Sequence, residues 1–275
     1  ALAFMPSNAF LLTLDGQESL AAGLVERAAA SYDSAAKLTT GDADALVNAG
    51  IALTAAGRPK EAVERLRASL ALSPQSVAAY TELGRALEAN RGDRGAADAA
   101  CEARKHASLL APKSAALKLD YGNALLSAQR HAEAATVMET ALKLSPDGSS
   151  RPLRALAYFG LGRASMGRGD ACAARTAFSE ASLITPSDAD NWHHFGVAAF
   201  RCDKDYVGAK HAWLRAVAIN PRRTDSLTPL HHIRGKQARL DEMNDGGKQA
   251  QAYQNARNGG YTNVEVSAKD GSSSS

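Results

Sequence analysis

Two pairs of adjacent histidines are the residues whose type suggests metal or general acid–base chemistry in this sequence. The pairs are His193-His194 and His231-His232, and neighbouring side chains on a helix point in different directions. Neither pair has the i, i+4 spacing that places two imidazoles on one helix face for a metal ion. We therefore expect these histidines to be structural or to lie at the surface, and we expect no metal site.

The three cysteines are the other reactive side chains. Cys101, Cys172 and Cys202 contain no CxxC pair, and their odd number does not fit a disulfide framework. We predict reduced, partly buried thiols. This prediction weakly favours a soluble protein of an intracellular compartment, either the cytoplasm or the inside of an organelle after removal of a targeting segment.

Sequence motifs for catalysis and for nucleic-acid binding are missing. The sequence has no GxxxxGK[ST] phosphate loop and no GxSxG nucleophile elbow, so we predict no catalytic residue, no cofactor and no enzymatic activity. The net charge is +3, from 32 basic and 29 acidic residues. A nucleic-acid-binding protein would concentrate its basic residues on one face, and Arg222-Arg223 is too short for that. No run of apolar residues is long enough for a transmembrane segment.

The elements that position these residues are predicted to be helices. The 275 residues include 58 alanines, whereas valine and isoleucine together number 14 and aromatic residues make up 5%. Alanine is the best helix former, while strands favour β-branched and aromatic residues. The composition therefore predicts an all-α protein.

A repeated pattern near 34 residues organises these helices. Five prolines recur in a shared context with intervals of 38, 34, 40 and 35 residues: Pro74, Pro112, Pro146, Pro186 and Pro221. Upstream of each proline lies an alanine, at Ala62, Ala100, Ala134, Ala174 and Ala209. Four residues after these alanines come Leu66, Arg104, Met138, Phe178 and Trp213, respectively. Earlier in each unit a glycine occurs, at Gly50, Gly84, Gly122, Gly162 and Gly196. In this pattern Arg104 is the only charged residue at the position otherwise held by a large apolar side chain.

These residues resemble the tetratricopeptide repeat (TPR), whose pattern is W-x2-L-G-x2-Y, then A-x3-F, then P. The resemblance implies a right-handed α-solenoid of about six helix-turn-helix units followed by a capping helix. We place an N-terminal extension at 1–8, the solenoid at 9–222, a capping helical segment at 223–258 and a flexible or partner-bound tail at 259–275. The units are predicted at about 9–42, 43–76, 77–114, 115–148, 155–188 and 189–222.

Two units are longer than the pattern. Extra residues occur near Asn90–Ala96 and at Ser149–Arg154. Repeat insertions fall in loops on one face and can contribute to binding, although lengthening a loop has a small cost of about 0.6 kcal/mol per doubling. We interpret both insertions mainly as tolerated loop length.

In the TPR family the first helix of each unit lines a concave groove. Some members bind chaperone C-terminal tails through a Lys/Asn/Arg carboxylate clamp, and others line the groove with an asparagine ladder. The clamp positions in the first three units here are Thr13, Gln17, Asn48, Ala78 and Glu82. Only Asn48 matches, and no ladder is present, so chaperone tails are not expected to bind in this way.

The remaining groove residues are mixed, and we predict that they bind a helix or an extended segment of a partner protein. An alternative is that the apolar ones pack within the solenoid. The candidate residues are Asn48, Glu82, Asp120, Asn123, Phe159, Arg163, Met166, His193, Val197, Phe200 and Arg201.

The resemblance implies a non-catalytic scaffold or adaptor that mediates protein–protein interactions as a subunit of a larger multiprotein assembly. The alternative is a targeting or regulatory subunit of an enzyme whose chemistry lies on another chain. A repeat fold hosts many functions, so the sequence does not name the partner.

Overall fold

The computed structural model describes residues 6–39, 41–90, 95–145, 150–222 and 224–226. Within these residues the chain forms twelve α-helices and no strand, followed by a short 3-10 turn at Thr224–Ser226. The helices are α1 (Pro6–Ala21), α2 (Val25–Leu38), α3 (Ala43–Ala55), α4 (Pro59–Leu72), α5 (Val77–Ala89), α6 (Ala96–Leu110), α7 (Ala115–Ser127), α8 (His131–Lys143), α9 (Arg151–Gly167), α10 (Ala171–Ile184), α11 (Ala189–Asp203) and α12 (Tyr206–Ile219). The prediction of an all-α solenoid of helix-turn-helix units is confirmed.

The helix ends follow local chemistry. Acidic and hydroxyl side chains cap several N-termini, among them Asp42 on α3, Ser76 on α5 and Ser114 on α7, each accepting a backbone N–H hydrogen bond. The prolines of the repeat lie just beyond helix ends, as Pro74 does after α4 and Pro186 after α10, because proline cannot continue a helix.

In several units the turn between the two helices contains one residue with a left-handed backbone. Gly57 and Gly169 supply it between α3 and α4 and between α9 and α10, with φ of 72° and 80°. Between α7 and α8 the same role falls to Gln129, with φ of 60°. A glycine therefore favours this turn without being indispensable to it.

Small residues allow the two helices of a unit to cross closely. A Cβ atom added to Gly162 would lie 2.6 Å from the ring of Phe178, and one added to Gly50 would lie 2.6 Å from Leu66. Ala62 and Ala174 are fully buried at the same crossings. The alternation of small and large residues read from the sequence is therefore the packing rule of the core.

Each helix packs against the next one along the chain, and α3 also contacts α5, as α7 contacts α9. The first helices thus stand side by side, and the second helices form the other layer. Residues 151–154, which the sequence suggested as part of an inserted loop, instead form the first turn of α9, which is 17 residues long.

The cysteine prediction is wrong for two of the three residues. Cys172 and Cys202 form a disulfide bond, with their Cα atoms 4.7 Å apart, while Cys101 is a buried free thiol. Cys172 lies at the start of α10 and Cys202 at the end of α11. Because these consecutive helices run antiparallel, residues 30 positions apart meet at one end of the pair.

Several predicted segments lie outside the described residues: the extra residues 91–94, the capping segment from 227 onward, the tail at 259–275 and most of the N-terminal extension. Among the described residues, none of the helices is long and apolar enough to cross a membrane.

Candidate protein-binding groove

The first helices of the units expose one side to solvent. We define the groove face as the side of α3, α5, α7, α9 and α11 that carries Asn48, Glu82, Asn123, Arg163 and Arg201. Of these, Asn123, Arg163 and Arg201 are exposed and the other two are half-buried. The opposite sides of these helices carry the buried glycines, so the repeat itself determines which residues reach this face.

The middle of the groove face is built around Arg104. Its guanidinium donates two hydrogen bonds to the Glu88 carboxylate, from Nε to Oε1 at 2.9 Å and from Nη2 to Oε2 at 2.7 Å. Its Nη1 lies 3.5 Å from a carboxylate oxygen of Asp120. The Arg104 side chain is 11% exposed and occupies the position that Leu66 and Met138 hold in other units. An ionic contact therefore replaces an apolar one between the third and fourth units.

Glu82 adds a further carboxylate to this region. Its side chain is 13% exposed, and its Oε2 lies 2.9 Å from Nη1 of Arg85. Burial raises the pKa of Glu82, and the attraction of Arg85 and Arg104 only partly opposes that rise. Among the residues that the structure describes here, three carboxylates thus share two guanidinium groups.

An open cavity of about 450 Å³ lies beside the Arg104 contacts, between α5, α6 and α7. Its polar lining comes from Glu88, Asn90, Asn123 and Ser127, while alanines of α6 and α7 form much of the rest. A cavity of this size accommodates one or two side chains of a bound segment. Among the predicted site residues, Asn123 is the one that lines it.

The C-terminal part of the groove face differs in charge. On α9, Phe159, Arg163 and Met166 follow one another at helical spacing of four and three residues, so they share a side. Val197 and Arg201 are related in the same way on α11. Two arginines surrounded by half-buried apolar side chains therefore replace the acidic cluster.

The aromatic residues of this part are anchored in the core rather than standing free. The Phe159 ring lies 5.2 Å from the His194 ring and 5.5 Å from the Phe178 ring, between ring centroids. Phe200 lies 6.1 Å from Trp213 in the same measure. Each phenylalanine offers only part of its surface to a ligand, and the contact of Phe159 with His194 joins α9 to α11.

Comparisons with known proteins identify the architecture. The tetratricopeptide repeat model matches residues 15–77, 47–107, 81–149 and 122–189. The chain belongs to the tetratricopeptide repeat family. No curated protein matches the TPR chain significantly over its sequence.

Solved structures resemble the TPR chain in fold. YrrB, described as a TPR protein with an unusual peptide-binding site, superposes with a TM-score of 0.57 at 18% identity, over 72% of this chain and 96% of its own. MamA from Desulfovibrio magneticus RS-1 gives 0.57 at 22%, over 67% and 99%. A chain of the APC/C hetero-tetramer Cut9–Hcn1 gives 0.61 at 17%, over 83% and 43%. At these identities the likeness concerns the fold. TPR proteins are generally non-catalytic and bind other proteins, so the fold supports a role in protein–protein interaction.

The predicted site residue His193 contacts the C-terminal turn of the described TPR chain. Its Nδ1 is 2.8 Å from the Ser226 hydroxyl and its Nε2 is 3.7 Å from the Asp225 carboxylate, and its side chain is 11% exposed. The chain's own turn after α12 therefore covers this histidine. It contributes to the end of the TPR solenoid more directly than to an open groove.

The sequence reading missed two components of the groove face. Arg104 lies on a second helix, where a groove residue was not expected, and Arg85 pairs with Glu82 beside it. A signal for Arg104 was present, because it is the one charged residue at a position where the TPR pattern has a large apolar side chain. Only the structure shows that Arg104 contacts Glu88 and Asp120 on the neighbouring first helices.

Among the described residues, one group of three potential metal ligands comes together: Cys172, Cys202 and Asp203. The two sulfur atoms are bonded to each other, and Asp203 receives a 2.6 Å hydrogen bond from Arg175. All three side chains are thus engaged by protein atoms. The group joins two units of the TPR solenoid and is a structural link.

Proposed function

We propose that this TPR protein is a non-catalytic scaffold or adaptor within a larger multiprotein assembly, and that it holds a segment of another protein along its groove face. The observation that carries the proposal is the cavity of about 450 Å³ between α5, α6 and α7, with Asn123 at its edge. Two successive first helices, α5 and α7, line this cavity together with α6, and such a site suits a helix or an extended chain.

The energetics of the repeat support this assignment. Stability in a solenoid comes from neighbour contacts through the two helix layers, so the side chains at the solvent side of the first helices are not required for folding. Residues such as Asn123, Arg163 and Arg201 are exposed and thus accessible to a partner. A surface that is dispensable for the fold and built on rigid helices is suited to recognition.

Site-specific photo-crosslinking tests the proposal. A photoreactive amino acid is placed at Asn123 in the full chain, and a matched one is placed at Leu183, which is 65% exposed on α10 in the other helix layer. After irradiation in the native source, the Asn123 chain should form a discrete crosslinked species with another protein, and the Leu183 chain should not. Equal crosslinking from both positions, or from Leu183 only, would move the binding surface to the second helices.

The same experiment separates the scaffold from the alternative role as a targeting or regulatory subunit. Mass spectrometry of the crosslinked species identifies the chain at Asn123. An enzyme subunit there would favour the regulatory role, and a non-catalytic subunit would favour the scaffold.

The disulfide between Cys172 and Cys202 bears on the expected compartment. Because two of the three cysteines are bonded to each other, the argument from free thiols for a reducing compartment no longer applies.

A further inference from the structure

The C-terminal part of the groove face carries two arginines that have no counter-charge among the described residues. We propose that this part, formed by α9 and α11, binds a short segment of a partner protein in which carboxylates alternate with apolar side chains. The inference rests on the proposed function, because it specifies the chemistry of the segment held at that same face. Arg163 and Arg201 are assigned to the carboxylates of the segment.

Neither arginine is neutralised within the part of the chain that the structure describes. Both are exposed, and neither has a hydrogen bond or an ion pair there. Asp203, two residues after Arg201, is committed to Arg175 at 2.6 Å. An exposed guanidinium with free donors binds a carboxylate through paired hydrogen bonds, so these two side chains are suited to an acidic ligand.

Other arginines of the described chain do have carboxylate partners, in contrast to Arg163 and Arg201. Arg58 and Arg130 each hold a glutamate three residues ahead, with N–O distances of 2.6 and 2.7 Å. Arg104 holds Glu88 and Asp120. In these places the fold supplies its own counter-charge, whereas Arg163 and Arg201 have no carboxylate partner in the part of the chain that the structure describes.

The charge of the neighbouring units determines where an acidic segment can lie. Among the described residues, Glu82, Glu88 and Asp120 share the two guanidinium groups of Arg85 and Arg104, so carboxylates outnumber guanidinium groups in the middle of the groove face. Like charges repel an acidic ligand there. The acidic part of the partner segment is therefore placed on α9 and α11 and not at the cavity between α5, α6 and α7.

Apolar contacts complete the recognition. Phe159, Met166 and Val197 are half-buried and lie three or four residues from an arginine on the same helix. Phe200, also half-buried, directly precedes Arg201. The contact between Phe159 and His194 brings the sides of α9 and α11 together. A ligand that covers the exposed parts of these side chains buries apolar surface while its carboxylates reach the guanidinium groups.

Selection from a random dodecapeptide library displayed on phage tests the inference on the full, oxidised chain. Parallel selections use the chain with Arg163→Gln and Arg201→Gln, and a control with Arg67→Gln and Lys113→Gln, two exposed cations outside the groove face. All three proteins are first compared by circular dichroism and thermal melting. The peptide most enriched on the unaltered chain is then synthesised, and its affinity is measured by fluorescence anisotropy.

The unaltered chain and the control should enrich peptides in which Asp or Glu alternates with Leu, Phe or Met. The synthesised peptide should bind the Arg163→Gln, Arg201→Gln chain about tenfold more weakly, since two charge-assisted contacts are lost, and the control within about twofold. Enrichment of basic or uncharged peptides, equal binding to all three proteins, or no enrichment would overturn the inference. If a partner is still crosslinked at Asn123, the proposed function survives that outcome.

Discussion

Removing the disulfide between Cys172 and Cys202 should destabilise the C-terminal units measurably. The bond joins residues separated by 30 positions and encloses α10, α11 and the turn between them. A crosslink that closes a loop of this length reduces the entropy of the unfolded chain, which amounts to about 3.6 kcal/mol at 25 °C in the chain-entropy model. Engineered disulfides often deliver less than this, while removal of a native disulfide typically costs about 2–5 kcal/mol, so we expect a loss of about 2–4 kcal/mol.

The loss should be local as well as global. Phe178 and Ala198, which belong to the core cluster between the fifth and sixth units, lie inside the enclosed segment. Neighbour contacts determine the stability of each repeat, so loosening this junction weakens α11 and α12 more than α3 and α4. Hydrogen exchange should therefore quicken in the C-terminal helices and stay unchanged in the N-terminal ones.

The assay compares urea denaturation of the full chain with that of the Cys172→Ser, Cys202→Ser chain, followed by circular dichroism. Thiol titration in denaturant should detect one free thiol, from the buried Cys101, in chain purified without reductant, and three after reduction. A Cys101→Ser chain serves as the matched control, since its response to reductant should equal that of the unaltered protein. Three titratable thiols before reduction, or a loss below about 0.5 kcal/mol, would refute the reasoning.

Three further substitutions test the packing and electrostatics. Gly162→Leu should lower the free energy of unfolding by about 1–3 kcal/mol or more, because a Cβ atom alone would lie 2.6 Å from the Phe178 ring; an unchanged melting temperature would contradict the assigned crossing. Arg104→Ala should lower the free energy of unfolding, measured by urea denaturation, by about 1–3 kcal/mol. Arg104→Met should recover at least half of that loss, because it restores the bulk that Met138 supplies in another unit. Equal losses in the two variants would assign the effect to charge alone. Burial raises the pKa of Glu82 above its ordinary value of 4.5, so ionisation of Glu82 opposes folding as the pH rises through that range. The Glu82→Gln chain should therefore be more stable than the unaltered chain at neutral pH but not at acidic pH. The reverse pH dependence in urea denaturation would contradict this assignment.

The fold was predictable because the repeat is a local pattern. Gly162 and Phe178 lie 16 residues apart in one unit, and a glycine meets a large side chain at this same spacing in the first, second and fourth units. The prediction depended on composition and on the repeat period. Helical periodicity then determines which residues of a unit share a helix face, whatever the rest of the chain does.

The candidate site was only partly accessible to the same reasoning. Helical spacing correctly indicates that Phe159, Arg163 and Met166 share a side, but it gives no information on whether an aromatic ring stands free or packs on its neighbours. The contact of Phe159 with His194 and the coverage of His193 by Ser226 depend on the next unit and the next turn. Which of these residues bind a partner stays a prediction.

Alanine content, proline period and glycine position are all properties of single units, so the amino-acid sequence was sufficient to predict a helical repeat. The tertiary structure was needed to show which residues of different helices meet. It paired Cys172 with Cys202 and surrounded Arg104 with carboxylates of two neighbouring helices. The physical reason is that the Cys172–Cys202 and Arg104–Asp120 contacts cross between units, where the distance between side chains follows from the stacking of helices and not from their separation along the chain.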